Sequence, residues 1–292
     1  MVKLAVVAHE RKLRGKQRHA LQKALAEAGL ADAPWRGVSK AKKTEKAARK
    51  AVEEGAEVVL VCGGDGTVRA GAAGLVDTDA ALAVLPAGTA NLFATALKLP
   101  KDPAAVLATI AAGTRTTIDT AVCNDQTFTV MAGTGFDAAM VDDAEAAKER
   151  LGFAAYLRAA VANARQGEPV RMTVTVDGAT FYEGEASCVL VGNLGTLKAG
   201  LSAFPEASPT DGILDVAVLT ATGIRDWASV LWKVVRGQQH LSGHAHMTKG
   251  KEIAVDMDDE QRMQLDGGAK GTTDSLRIAV RPQSLRVCVP ST

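Results

Sequence analysis

The sequence predicts an N-terminal open α/β, nucleotide-binding domain over residues 1–115, followed by a C-terminal antiparallel β-sandwich with helical insertions over residues 116–292. Three observations carry this. Up to Gly113, short apolar runs alternate with helical stretches, the order of β-α units built on a parallel sheet. Those runs hardly alternate with polar residues, as expected of strands covered on both faces. From Thr116 onward, strand-like segments follow one another through turns, the order of a sandwich or barrel.

The 292 residues are enough for two cores, and 47% hydrophobic with 23% charged residues is ordinary for a soluble globular protein. A net charge of +1 argues against nucleic acid as the main partner. No apolar run approaches the roughly 18 residues of a membrane span. Val2 to Ala8 is too short and too soon charged for a signal peptide, so the expected compartment is the cytoplasm. Cys62, Cys123, Cys188 and Cys288 are scattered through apolar contexts without a C-x-x-C pair and read as reduced core residues.

In chain order, Val2 to Ala8 reads as a buried strand and Lys16 to Ala28 as a helix stopped at Gly29. The basic loop between them, His9 to Lys16, lies at the carboxyl end of a strand, where open α/β sheets bind ligands. A solvated turn and a phosphate-facing loop both suit it. A helix over Lys42 to Glu54 buries Ala47, Ala48, Ala51 and Val52 and leaves its lysines to solvent. The strand from Val58 then runs into Gly63-Gly64-Asp65-Gly66-Thr67, with helical residues from Ala70 to Leu75. Bare glycine amides facing a helix N-terminus make an anion site, and phosphate is the commonest anion. Ala80 to Leu85 is a further strand, ending in Pro86-Ala87-Gly88-Thr89-Ala90-Asn91, which repeats the same logic at the same sheet edge. Lys101 to Ala112 is the last helix of the domain.

The β region is expected at Thr116–Val122, Thr127–Ala132, Val170–Asp177, Phe181–Gly184, Ser187–Val191, Ile213–Leu219, Glu252–Met257, Arg262–Leu265, Leu276–Val280 and Leu285–Val289. Two helical insertions interrupt it. Asp137 to Arg165 reads as two helices broken at Gly152. Ile224 to Arg236 carries Ile224, Trp227, Leu231, Val234 and Val235 at helical spacing, a stripe suited to packing on the sheet more than to a membrane surface. His240, His244 and His246 lack a Cys or a paired carboxylate at ligand spacing and are not read as a metal site.

Asp65 is the hardest residue to account for structurally. Its turn is not a Walker A loop, and Arg69 stands where a G-x-G-x-x-G fingerprint has its last glycine. A carboxylate there would repel a bare phosphate, so it fits a magnesium ion, a sugar hydroxyl or a reacting hydroxyl.

Gly63–Thr67 with Pro86–Asn91, then Gly192-Asn193, Phe204–Val216 and Leu265-Asp266-Gly267-Gly268, resemble in this order the signatures of the diacylglycerol kinase catalytic-domain family. These are bacterial lipid kinases related to sphingosine kinases and, distantly, to NAD kinases. The resemblance covers essentially the whole chain and implies an active site between the two domains. It implies ATP bound by Gly63, Gly64, Asp65, Gly66, Thr67, Val68, Arg69, Gly88, Thr89 and Asn91, with Ala8 to Lys12 and Thr44 on the phosphate side. It also implies magnesium at Asp211, with main-chain ligands at Ser208 and Ile213, an oxygen set suited to a hard cation. The chain departs from the family at His9-Glu10-Arg11-Lys12, where Asn-Pro-x-Ser-Gly is usual, and at Leu92, where an aspartate is usual. It departs again at Gly268, where the family carries a glutamate often assigned as proton acceptor. Asp266 is therefore read, with Asp65, as a catalytic carboxylate, taking the acceptor's proton. A plain turn aspartate before two glycines is the competing reading.

The expected function is transfer of the γ-phosphate of ATP, with Mg²⁺, to the hydroxyl of diacylglycerol or a related lipid. The partner is a lipid at a membrane surface reached by transient peripheral association, not nucleic acid, and a homodimer stays open. The alternatives are an NAD kinase, or a nucleotide-binding regulator that has lost turnover.

Overall fold

The computed structural model describes residues 2–135, 169–195, 202–236 and 242–291. The helices expected over Asp137–Arg165, the position of His240, and the side chains of Ile224, Leu231 and Val235 lie outside the described residues. Two compact units are present: residues 1–120 with 209–211 and 281–292, and residues 121–208 with 212–280.

The first unit contains β1 (Leu4–His9), α1 (Gly15–Glu27), β2 (Trp35–Val38), α2 (Ala41–Glu53), β3 (Val58–Gly63), α3 (Asp65–Leu75), β4 (Ala81–Pro86), α4 (Leu92–Ala96) and α5 (Pro103–Ala112). Its strands run parallel in the order β4-β3-β1-β2. Leu4, Val6, Leu60, Ala83 and Leu85 meet α1 and α5 through Leu21, Leu25, Val106, Leu107 and Ile110. On the opposite face, Val61 presses on Gly71 of α3. Gly74 of α3 lets α2 approach so closely that a Cβ there would fall 2.6 Å from the Glu45 carbonyl. Burial on both faces explains the unbroken apolar runs, each Val or Leu contributing roughly 1.5–3 kcal/mol.

Two features differ from expectation. Nothing in the pattern predicts β2, because Trp35-Arg36-Gly37-Val38 is only four residues long and is interrupted by an arginine and a glycine; it lies at the sheet edge and pairs only with β1 among the described strands. Helix α3 begins at Asp65 and not at Ala70. Asp65 therefore occupies the first helical position, where a carboxylate is favoured by the helix dipole, and part of its presence is structural.

The remaining elements are β5 (Arg115–Cys123), β6 (Gln126–Phe128), β7 (Met131–Thr134), β8 (Val170–Val176), β9 (Ala179–Ala186), β10 (Cys188–Gly192), β11 (Leu214–Leu219), α6 (Ile224–Val235), β12 (Ala245–Gly250), β13 (Glu252–Leu265) and β14 (Gly268–Cys288). In the second unit the antiparallel order is β12-β11-β10-β7-β13. β13 joins β7 through its last residues and β8 through Ile253–Met257, with register shifts between Asp256 and Gln264. A bulged strand that changes partner in mid-course is how a sandwich turns its corner. The sequence suggests two strands there because Asp258-Asp259-Glu260 reads as a loop; these residues are simply the exposed stretch of one long strand. The core holds Phe128, Val174, Val189, Val216, Val255, Leu265 and Ile278. α6 covers a second cluster, in which Trp227 and Val230 meet Leu190, Ala217 and Leu219.

Three hairpins close on two residues of positive φ: Asn124-Asp125 (44° and 63°), Asp177-Gly178 (48° and 82°) and Asp266-Gly267 (49° and 74°). This is the type I′ pattern that matches strand twist. The fold is α/β followed by an antiparallel β-sandwich with helical insertion.

Candidate functional site

The loops that leave β1, β3 and β4 start at the same carboxyl edge of the parallel sheet. Gly64 is the N-cap of α3, extended at φ −90° and ψ −177°. Its carbonyl accepts from the amides of Thr67 and Val68 at 2.8 and 3.0 Å. The earlier amides of a first turn have no acceptor inside a helix and point outward. Across from them, the amide of Ala87 donates to the Gly63 carbonyl at 2.8 Å and fixes one turn on the other.

Glycine is required at this contact for lack of room. A Cβ on Gly88 would fall 2.6 Å from the Gly64 Cα, and one on Gly64 would fall 3.2 Å from both the Gly88 Cα and the Lys12 Nζ. Three loops therefore converge on two glycines and one ammonium. Asn91, left-handed at φ 48°, braces the second turn by accepting from the Gly88 amide at 2.9 Å and donating to the Gly88 carbonyl at 2.8 Å. The side chain of Thr67 lies directly over Gly63 and is buried, as are Val68 and Arg69, whereas Gly66 and Thr89 are exposed and Asp65 is half-buried.

The electrostatics favour an anion. Arg11, Lys12, Arg14 and Lys16 are all exposed on the β1–α1 loop or the start of α1. His9 is held below the ordinary histidine range by burial first and then by Arg11 and Lys12. The burial part of that shift says nothing of an anion, but the Arg11 and Lys12 part reports a positive potential over this loop, which attracts negative charge. Thr44 is fully buried in the first turn of α2, with its hydroxyl on the Lys40 carbonyl at 3.1 Å.

Ser208, Asp211 and Ile213 share one loop, and Asp211 is exposed. Sequence reasoning misses Asp119, which holds this loop. Asp119 is fully buried; its amide donates to the Pro209 carbonyl at 2.6 Å, and its carboxylate accepts from the Gln283 amide at 2.7 Å. A carboxylate placed between Ile118 and Ala121 in an apolar strand is the available signal. The donors on this loop are all oxygens, which fits a hard cation such as magnesium.

Asp266 has an occupation that its place in a turn does not suggest. It is 3% exposed. Its carboxylate accepts from the Thr129 amide (3.1 Å) and hydroxyl (3.0 Å), the Val130 amide (2.7 Å) and the Met131 amide (3.0 Å). The break between β6 and β7, expected from the sequence to be one strand, falls where these amides turn away to meet it. Asn193 joins the cluster by donating to the Thr129 carbonyl at 3.0 Å.

Comparison with known proteins agrees with this architecture. Residues 3–123 match the diacylglycerol kinase catalytic domain, and residues 130–289 match the YegS C-terminal NAD kinase beta sandwich-like domain. The chain belongs to the diacylglycerol kinase catalytic-domain family. A Pseudomonas putida relative, assigned by name to the YegS-like lipid kinases, is 32% identical over 83% of this chain and 80% of its own length. An uncharacterized Synechocystis protein is 31% identical over 85% of this chain, which spans only 58% of that relative. The crystal structure of a Bacillus anthracis protein titled a diacylglycerol kinase superposes with a TM-score of 0.76 at 25% identity, covering 99% of this chain and 97% of that one. An Archaeoglobus fulgidus NAD kinase in complex with ATP shares the fold alone, with a TM-score of 0.56 at 10% identity over 98% of this chain and 93% of its own.

Proposed function

We propose that this chain is a lipid kinase that transfers the γ-phosphate of ATP to the hydroxyl of diacylglycerol or a related lipid. The carrying observation is the pair of glycine turns locked at Gly64 and Gly88 beside the N-terminus of α3, with Lys12 against them, in a chain of this family. The amides of Gly64, Asp65 and Gly66, with that of Thr89, would hold the phosphates, Lys12 would offset their charge, and Asn91 would keep the second turn in shape. Thr44 would support the phosphate side from beneath, through its helix. Asp65 would meet a magnesium ion carried with the nucleotide, and Asp211 with the carbonyls of Ser208 and Ile213 would hold a structural one. Magnesium supplies charge neutralisation in a reaction that depends mainly on positioning and electrostatics.

Two roles are open to Asp266. Its four donors favour bracing over proton acceptance, because a carboxylate whose lone pairs are engaged in a buried site is poorly placed to take a further proton. Gly268 in place of a glutamate supports the second reading, a nucleotide-binding regulator without turnover. The NAD kinase reading has only a fold likeness behind it.

The test is purified protein with labelled ATP and Mg²⁺, offered a total lipid extract and, separately, NAD. Labelled lipid is the expected product. Labelled NAD overturns the lipid assignment, and ATP binding without any transfer establishes the regulator.

A further inference from the structure

We propose that the outward face of α6 is the surface by which this protein docks on bilayers carrying anionic phospholipid. The inference rests on the lipid-kinase reading for its biological purpose, and on the helix alone for its physical argument. The inner face of α6 is already used: Trp227 and Val230 are 4% and 3% exposed in the cluster beneath it. On the opposite side Arg225, Ala228, Trp232 and Arg236 are all exposed, spaced three and four residues apart, so they form one stripe. Trp232, at 51%, is the exposed large hydrophobic residue among those described. The guanidinium of Arg236 lies over its ring, 4.5 Å from the centroid.

The composition of this stripe selects the occupant. A tryptophan standing out from a surface, apolar in body with one N–H at its rim, suits the boundary between lipid headgroups and acyl chains. Both charged members of the stripe are positive. The acid of the helix, Asp226, is turned away: it accepts from the amides of Thr222 and Gly223, both at 3.3 Å, and lies 3.5 Å from His244. It therefore does not offset Arg225 and Arg236, and the stripe is locally cationic in a chain whose net charge is only +1. An amphipathic helix with cations flanking an aromatic residue is the arrangement that lies on an anionic membrane surface. Each cation held near such a surface is worth roughly fivefold in partitioning.

The test uses the full chain with sedimented vesicles of phosphatidylcholine alone and of phosphatidylcholine mixed with phosphatidylglycerol. The wild type should sediment with the mixed vesicles, sediment weakly with the neutral ones, and be released by high salt. Trp232→Ala should weaken partitioning to both kinds of vesicle through loss of the interfacial aromatic anchor, and R225E/R236E should weaken it on the mixed vesicles by roughly 25-fold or more. Circular dichroism and melting of both variants should match the wild type, since neither site is buried. Both variants should phosphorylate a short-chain diacylglycerol dispersed in water as the wild type does, and lose activity only on long-chain substrate embedded in the mixed vesicles. Wild-type affinity retained by both variants, or no preference of the wild type for the anionic vesicles, overturns the proposal. A change in oligomeric state in place of vesicle binding also overturns it, and assigns the stripe to a second copy of the chain. Failure of the lipid-kinase reading shows separately, as no transfer to either substrate while vesicle partitioning follows the stripe.

Discussion

Asp266 holds Thr129 by both its amide and its hydroxyl, with one carboxylate oxygen, Oδ2, 3.1 and 3.0 Å away. The backbone of the same residue sits in the β13–β14 turn and its side chain also collects the next two amides, so one residue joins a turn to a break between strands. Asp266→Asn would bring an NH₂ group against donors that need acceptors. The expected result is a loss of roughly 3 kcal/mol, seen as a lower denaturant midpoint, because a hydrogen bond to a charged group contributes about 1.5–3 kcal/mol and several are disturbed. A variant that keeps wild-type stability but transfers no phosphate would assign the proton-acceptor role instead.

Gly88 and Gly64 meet backbone to backbone, so Gly88→Ala should damage the site locally. Overpacking typically costs roughly 1–3 kcal/mol, and the turn can relieve it only by moving away from Gly64. ATP affinity, measured by titration calorimetry, should fall at least tenfold while the far-UV spectrum is kept. An unchanged affinity would remove this contact from the nucleotide site.

Gly268, by contrast, has room. A Cβ there would lie 3.4 Å from the Leu265 carbonyl, an ordinary contact, and the residue does not have a left-handed φ. Gly268→Glu should fold with a midpoint near that of the wild type. If a carboxylate at this position assists proton removal, transfer to lipid should rise by about tenfold or more, within the range of general base catalysis. A rate no higher than wild type would show that this chain works without it.

His9 gives the first unit a pH dependence of known sign. Burial lowers its folded pKa below the unfolded value of about 6.5. The folded state then binds fewer protons than the unfolded state near and below that value, so His9 supports folding above it and withdraws support as pH falls. Melting temperatures of wild type and His9→Gln, compared from pH 8 down to pH 5, should converge or cross on the acidic side. Parallel curves would contradict the assignment.

All four thiols are buried, and burial pushes each of them up, Cys123 to about 12. At mildly alkaline pH a disulfide reagent should find essentially no fast-reacting thiol in the native protein and four after denaturation, because the thiolate is the reacting form.

The parallel-sheet unit is legible because burial on both faces leaves a period-free apolar run, and because a glycine turn placed directly after such a run suits a bound anion better than it suits a core. Asp65 is harder. Its place as first residue of α3 depends on where the helix begins, and three glycines in four positions conceal a helix start. Thr127–Ala132 looks like one strand because the residues that interrupt it are apolar or β-branched; the interruption comes from a carboxylate more than a hundred residues away. Asp119 and Asp266 both act on backbone amides brought to them by topology. No local pattern announces such a partner.

Arg286 and Val287 lie beside Ala81 and Leu82, parallel to them, so the edge of β4 is covered by residues made only after the whole second unit. On the ribosome, the glycine turns of the first unit emerge long before that covering strand exists. Until the strand arrives, β4 presents an open edge to any neighbouring chain. The unit that leads in sequence is thus finished in time only after its successor has been synthesised.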